Sequence, residues 1–315
     1  MARILVLGSL NMDLVVTVSH LPQPGETVLG ERLGRYPGGK GANQAVAAAR
    51  LGGRAALVGR IGADDFGPEL VANLKTNGVD ASGVEPDNSA TGAALIFVGP
   101  QGQNMIAVAP GANGRLDKFD IERAVATLQS GDVLVMQLEI PMAVITPAAV
   151  AARRAGGRVL LNAAPAQRLD QGLLEQVDTL VVNEREAEFL VVDDRVAGVL
   201  ANEDVPEAAA AALRAMGPRI AIVTLGPAGS VYCDETGVHR VEPFHVKSID
   251  ATGAGDAFVG ALAVGLANGL PVQAAMRFAN AAGAAATTLL GAQAALPRLD
   301  DLRRLFGLDL SFSES

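Results

Sequence analysis

Short apolar runs alternate with helical patterns along almost the whole chain. Ile4–Leu7 opens the series, and after a long polar excursion a helix is predicted near Gly41–Leu51, stopping at Gly52-Gly53. Ala55–Val58 precedes a helix near Phe66–Asn77 that Gly78 closes. Val133–Met136 leads to a helix ending at Gly156-Gly157, Val159–Leu161 to a short helix before Thr179–Val182, and Ile220–Thr224 opens a further unit. β-branched runs alternating with helices predict βαβ units and a parallel sheet. The glycines stand where C-terminal helix caps belong.

Two stretches break the rhythm. Leu14–Val18, Thr27–Leu33 and a hairpin, Ala93–Val98 with Met105–Ala109 around the turn Gly99-Pro100-Gln101-Gly102-Gln103-Asn104, read as extended strands. They predict a small antiparallel sheet inserted at about 13–36 and 91–110 into one α/β domain spanning 1–315. The insert is either a lid or a set of extra edge strands. Val191–Pro206 reads as a polar surface loop, and no internal repeat is present.

Composition narrows the class. Half of the 315 residues are hydrophobic, 19% are charged and 3% aromatic, so Ala, Val, Leu and Gly must build the core, as suits a covered parallel sheet. A net charge of −9 argues against nucleic acid or an anionic membrane as partner. Cys233 is the single cysteine, which excludes an internal disulfide and a cysteine-based zinc site and suits a reducing cytoplasm. The apolar start Ile4–Leu7 is too short for a signal peptide. Phe278–Leu296 is uncharged but rich in Ala, Gly and Thr, with Asn280 and Gln293 inside it; a core helix and its following loop is expected rather than a membrane span. His20, His239 and His245 share no metal-ligand spacing.

The richest chemistry lies in Asp250-Ala251-Thr252-Gly253-Ala254-Gly255-Asp256-Ala257-Phe258. Phe258, Leu262 and Leu266 continue it at helical spacing. A helix that begins with Gly-Ala-Gly offers unshielded N–H donors and the positive end of its dipole to an anion. Asp256, in the first turn, would be either a base beside that anion or an ordinary N-terminal helix charge. Pro37-Gly38-Gly39-Lys40-Gly41-Ala42-Asn43 lacks Walker spacing, yet its glycines would let a ligand approach the backbone; the alternative is a strand-to-helix turn with a solvated lysine. Gly8-Ser9-Leu10-Asn11-Met12-Asp13 follows the first strand without a dinucleotide fingerprint, and Asn11 and Asp13 could bond vicinal hydroxyls or simply shape a turn. Gln137-Leu138-Glu139, Asn162, and Thr224-Leu225-Gly226-Pro227-Ala228-Gly229 end later strands. Asn183 and Glu186, three apart, are either a capping pair or a carboxylate placed near hydrated Mg²⁺.

Together these segments resemble the carbohydrate kinase family that contains ribokinase, adenosine kinase and the minor phosphofructokinases. Both family signatures are present, at Gly38–Asn43 and Asp250–Asp256, and the resemblance runs from about residue 3 to about 300. The wording Gly-Gly-Lys-Gly-Ala-Asn-Gln-Ala, Gly-Ser-x-Asn-x-Asp and Met-Gln-Leu-Glu is most similar to the ribokinase branch. The resemblance implies an α/β parallel-sheet sandwich with a small antiparallel β lid, and phosphorylation of D-ribose at its 5-hydroxyl by ATP with Mg²⁺. Asn11, Asp13, Gly39, Lys40, Asn43 and Glu139 would hold the sugar, with Asp256 as general base and the N–H groups of Gly253, Ala254 and Gly255 as the anion hole. ATP would meet Asn183, Thr224, Gly226, Gly229, Gly255 and Asn280, while Glu186 organises magnesium. Asp250 and Thr252, with carbonyls near Ala286, Leu289 and Gly291, would bind K⁺, and the lid would pair two subunits as a homodimer.

Two positions depart from the branch pattern. Ala295 stands where a cation-binding serine is common, and Ala163 where a proline is common. Two other readings stay open: a kinase of a different sugar or nucleoside on the same fold, and an inactive sugar- or nucleotide-binding regulator, which the intact Asp256 disfavours.

Overall fold

A computed structural model describes residues 2–100, 102–191 and 205–308. Nine strands form one sheet, in the spatial order Gly237–Val241, Ser230–Asp234, Ile220–Thr224, Thr179–Asn183, Arg158–Asn162, Val133–Met136, Arg3–Leu7, Arg54–Gly62 and Asp80–Asp87. All neighbours pair in parallel except at the Ser230–Asp234 strand, which is antiparallel to both of its partners. The parallel part follows the expected βαβ rhythm. The antiparallel edge was not expected; a tight turn at Asp234–Gly237 reverses the chain where a helix would otherwise return it.

Strand residues alternate between two cores. Ile4 and Val6 face a cluster containing Ala47, Val264 and Phe278, whereas Leu5 and Leu7 face one containing Ile145, Ala148 and Leu213. Because both faces are covered, the strands are continuously apolar rather than alternating. In the first cluster the helices Lys40–Arg50, Ala254–Ala267 and Val272–Ala286 are rich in Ala and Gly, which lets them pack closely. A Cβ on Gly260 would fall 2.5 Å from the Ala47 Cβ and 2.9 Å from the Gln44 carbonyl oxygen, so the Ala254–Ala267 helix rides directly against Lys40–Arg50. That contact sets the distance between the two helix starts that bear the candidate site. Phe278–Leu296 is indeed a core helix and the segment after it, and no helix among the described residues is long and apolar enough to cross a membrane.

The insert forms a four-stranded sheet in the order Gly30–Gly38, Asn11–Val18, Gly92–Val98, Asn104–Ala109. It differs from expectation in two respects. Asn11–Val18 and Gly92–Val98 pair in parallel, so the sheet is mixed. Both strands continue from strands of the large sheet that run the same way, Arg3–Leu7 and Asp80–Asp87, and therefore set out in one direction. The strand expected at Thr27–Leu33 instead occupies Gly30–Gly38, through Pro37, which an edge strand tolerates. In the hairpin turn, Gly99 donates to the Gln103 carbonyl and Gly102 to that of Gly99, while Gln101 lies outside the described residues. Of the expected loop at Val191–Pro206, Val191 ends one helix and Val205 and Pro206 begin the next; the residues between lie outside the described ones.

Candidate active site

The Lys40–Arg50 helix begins without a side-chain cap of its own, at Gly39 with φ 87°, a conformation that favours glycine. Its orphan donors are met from distant parts of the chain. The Lys40 N–H donates to Glu139 Oε2 at 3.0 Å, the Gly41 N–H to Ser9 Oγ at 3.2 Å and the Ala42 N–H to the Ser9 carbonyl at 2.9 Å. Ser9 Oγ in turn donates to Glu139 Oε2 at 2.6 Å. Glu139, expected to hold a sugar, thus also caps this helix through one oxygen. The close approach that the glycines permit is largely to the Gly8–Asn11 backbone, since a Cβ on Gly39 would lie 2.7 Å from the Asn11 nitrogen and one on Gly41 2.5 Å from that of Ser9. The expectation that they serve a ligand's approach is corrected to this extent.

Asp256 sits in the first turn of Ala254–Ala267, a helix entered through Gly253 at φ 77°. Its carboxylate is 7% exposed and both oxygens are held: Asn43 Nδ2 donates to Oδ2 at 2.8 Å and Gln44 Nε2 to Oδ1 at 2.9 Å. Each oxygen keeps further lone-pair capacity. The Asn43 Oδ1 atom is buried and has no partner, an arrangement that a polar ligand would relieve. Of the three N–H groups expected to form an anion hole, that of Ala254 donates back to the Ala251 carbonyl at 3.2 Å. Gly253 and Gly255 line the cavity beside Asp256.

That cavity, about 220 Å³, is lined among others by Lys40, Asn183, Glu186, Thr224 and Asp256. Burial works to lower the Lys40 pKa, but the charges of Asp256, Glu139 and Glu186 outweigh it and hold the ammonium above its ordinary value. Glu186 is pushed up, first by burial, with Asp256 adding to the effect and the Asn183 N–H and Lys40 opposing it. Asn183 and Glu186 form a reciprocal cap, N–H to Glu186 Oε2 at 2.8 Å and Glu186 N–H to Asn183 Oδ1 at 2.9 Å. The capping alternative is therefore realised, and the Glu186 carboxylate still borders the cavity.

A second cavity of about 310 Å³ meets the first at Thr224, Ala251 and Gly255. Its walls are mainly apolar, including Pro227, Phe244, Val246 and Phe258, which fits a flat heterocycle. Gly226 and Gly229 line it as expected. Asn280 does too, but its amide is committed to the protein, accepting from Ser230 Oγ and donating to the Val241 and Glu242 carbonyls. Sequence reasoning missed the 243–248 wall, whose residues carry no motif. It also missed Gln44, although that residue follows Asn43 directly.

A third cavity, of about 390 Å³, is bordered by Asn11, Asn113 and Glu139, with Val108 from the small sheet. Asn113 acts as a strand surrogate, bonding the N–H and carbonyl of Leu10 and donating to Asn11 Oδ1 at 2.7 Å. Asp13 lies against Gly38, where a Cβ would come within 2.2 Å of its Oδ2. Burial, then the neighbouring charges of Glu139 and Asp256, push its pKa up to about 7.

The expected cation loop is assembled in part. Asp250 accepts from the Thr252 N–H at 2.9 Å, Thr252 Oγ1 at 2.7 Å and the Gly291 N–H at 2.8 Å. Burial raises its pKa, but these bonds prevail and hold the carboxyl below its ordinary value. The carbonyl bonded to this segment is that of Thr287, which accepts from the Ile249 and Asp250 N–H groups. Ala286 is buried within its helix, while Leu289 and Ala295 border a separate cavity with Arg50 and Arg298.

The pattern of the pfkB family carbohydrate kinases matches residues 1–299. A ribokinase of Haemophilus influenzae is 38% identical over 295 residues, 93% of this chain and 94% of that protein. The fold is similar to a ribokinase from Thermotoga maritima, with a TM-score of 0.88 at 35% identity over 98% of this chain and all of that one. It is also similar to an Arabidopsis thaliana ribokinase solved with ribose and ATP, with a TM-score of 0.86 at 29% identity over 98% of this chain and all of that one.

The raised Asp13 pKa makes a stability prediction. Below about 3.8 both folded and unfolded chains keep this proton; between 3.8 and about 7 only the folded chain does, so the group's contribution to stability falls as pH rises and then levels off. Asp13→Asn removes this titration. Its melting temperature should exceed the parent's by roughly 2–4 °C or more at about pH 8, and by much less at about pH 4. A gain independent of pH, in thermal melts of the sugar-free protein, would contradict the assignment.

Proposed function

We propose that this chain, which belongs to the pfkB family of carbohydrate kinases, transfers the γ-phosphoryl group of ATP to the 5-hydroxyl of D-ribose. The observation that carries the reading is the position of Asp256. Its carboxylate stands at the start of a glycine-led helix and lines the cavity that also holds Lys40, Asn183 and Glu186, which meets the apolar cleft that fits a nucleotide base at Thr224, Ala251 and Gly255.

In this reading Asn11, Asp13, Gly39, Lys40, Asn43 and Glu139 hold the sugar through its hydroxyls. The 5-hydroxyl oxygen attacks the γ-phosphorus, its proton passes to Asp256, and the bond to the ADP oxygen breaks. The N–H groups of Gly253 and Gly255, at the positive end of the helix dipole, meet the charge on the transferring group. ATP lies along Thr224, Gly226 and Gly229, with Asn183 and Asn280 at the edges of the cleft. Magnesium suits the neighbourhood of Glu186, a buried carboxylate bordering the phosphate side, and would neutralise phosphate charge through its waters. The small sheet acts as a lid that excludes water. ATP and a free sugar as substrates, with a lone buried cysteine, fit a reducing cytoplasm.

Potassium fits the loop of Asp250 and Thr252, where an ionised carboxylate lies beside the Thr287 carbonyl and the Gly291 backbone. A cation there would fix the anion-hole backbone electrostatically without touching substrate. The small sheet also suits a homodimer interface: Leu33, Tyr36, Leu95, Met105, Ile106 and Val108 are exposed on it.

Four measurements test these claims. Asp256→Asn should lower kcat by at least about 10²-fold while ribose and ATP binding change only a few-fold, and ribose should outcompete adenosine, fructose and 2-keto-3-deoxygluconate in an ATP-consumption screen. Wild-type turnover in the variant removes the base; preference for another acceptor removes ribose. Activity should rise with KCl at constant ionic strength; equal activity without potassium defeats the activation. Sedimentation should give twice the chain's mass, and Ile106→Lys should weaken that association; a monomer at high concentration rejects the interface.

A further inference from the structure

Asp256 is held by two amides, and only one of them, Asn43, is among the residues assigned above to the sugar. The other, Gln44, is 1% exposed and commits its amide to a fixed set of partners. Both Nε2 protons are used, donating to Asp256 Oδ1 at 2.9 Å and Asn162 Oδ1 at 3.1 Å, and its Oε1, with one further lone pair to spare, accepts from Gln137 Nε2 at 2.7 Å. Asn162 is locked in turn, its Nδ2 donating to the Val181 carbonyl at 3.1 Å.

The polarity of this chain of amides runs in one direction. A carboxylate only accepts, so Gln44 must turn its NH₂ toward Asp256, and the acceptor Asn162 Oδ1 demands the same orientation. The Gln44 oxygen then requires a donor, which Gln137 supplies. Gln137 is fully buried, and its own Oε1 is left without a partner. An unpaired buried acceptor costs free energy that a purely structural core would avoid by placing an apolar side chain there. The chain runs from the end of Val133–Met136 through the Lys40–Arg50 helix to the carboxylate.

We propose that Gln44 is a positioning residue for the phosphoryl-transfer base: it fixes the rotamer of Asp256 and is itself oriented by Gln137. Neither glutamine borders the cavities that would take sugar or nucleotide. Their influence on turnover therefore passes through the carboxylate. The inference rests on Asp256 acting as the base.

The test is a cycle of Gln44→Leu, Gln137→Leu and the double variant, with Asp256→Asn alongside, each checked for folding by circular dichroism and thermal melting. Gln44→Leu should lower kcat about 10- to 100-fold, the scale of a lost hydrogen bond to a charged group, with KM for ATP within about twofold. Lys40, Glu186 and Asp13, the charged groups around Asp256, remain in place throughout. Gln137→Leu should cause a smaller loss, and the double variant should match Gln44→Leu, because Gln137 acts only through Gln44. Losses that add, or a rise in KM for ATP that matches the loss in kcat, overturn the relay. If Gln44→Leu does not fold, Gln44→Met carries the same arms. Should Asp256→Asn retain turnover, the base assignment itself falls; should it be inactive while Gln44→Leu behaves as wild type, only the relay falls.

Discussion

The structure depends on one carboxylate held between the first turns of two helices. Asp256 comes from Ala254–Ala267, and the amides that grip it come from Lys40–Arg50, more than two hundred residues earlier. Two helix N-termini thereby open onto one cleft, and their dipoles add a positive field where three carboxylates, Asp256, Glu139 and Glu186, and a single lysine also gather. The arrangement requires the helices to approach more closely than large side chains allow. That requirement explains why this core is built from alanine and glycine, with Gly260 against Ala47 at its tightest point.

Functional groups here serve the fold at the same time. Glu139 offers one oxygen to its cavity and caps a helix with the other. Glu186 borders the phosphate side while completing a reciprocal cap with Asn183. Asp250 gathers three donors that tie the loop before Asp256 to the segment after the last long core helix. Substitution at any of these positions changes stability and chemistry together, so a loss of activity alone would misstate their role.

The sequence exposed the parts of this site whose signals are local. Glycines around Asp256 and Lys40 mark helix starts, and polar residues at strand ends mark the side of a parallel sheet where ligands bind. Parallel strands were legible because apolar runs alternate with helical patterns. What escaped was information carried by partners distant in sequence. Gln44 stands beside Asn43, but nothing local reveals that a second helix passes near enough for both to reach one carboxylate. Ser9 and Asn113 act through backbone groups of other segments. The apolar wall at 243–248 has neither a period nor a motif. The antiparallel edge and the parallel pairing within the small sheet depend on where chain ends emerge, which side-chain pattern does not encode.

The small sheet leaves the large one at site residues themselves. Asn11 begins one of its strands, Gly38 ends another, and each is paired with the other across the ladder. No spacer separates the sheet from the sugar side of the cleft, and Asn113 pins Asn11 to the turn that follows the hairpin. The small sheet therefore joins the large one at Asn11 and Gly38, with no flexible link to absorb a displacement of its outer strands. A tilt of its outer strands would reach Asn11 and Asp13 directly, through the one strand that carries both.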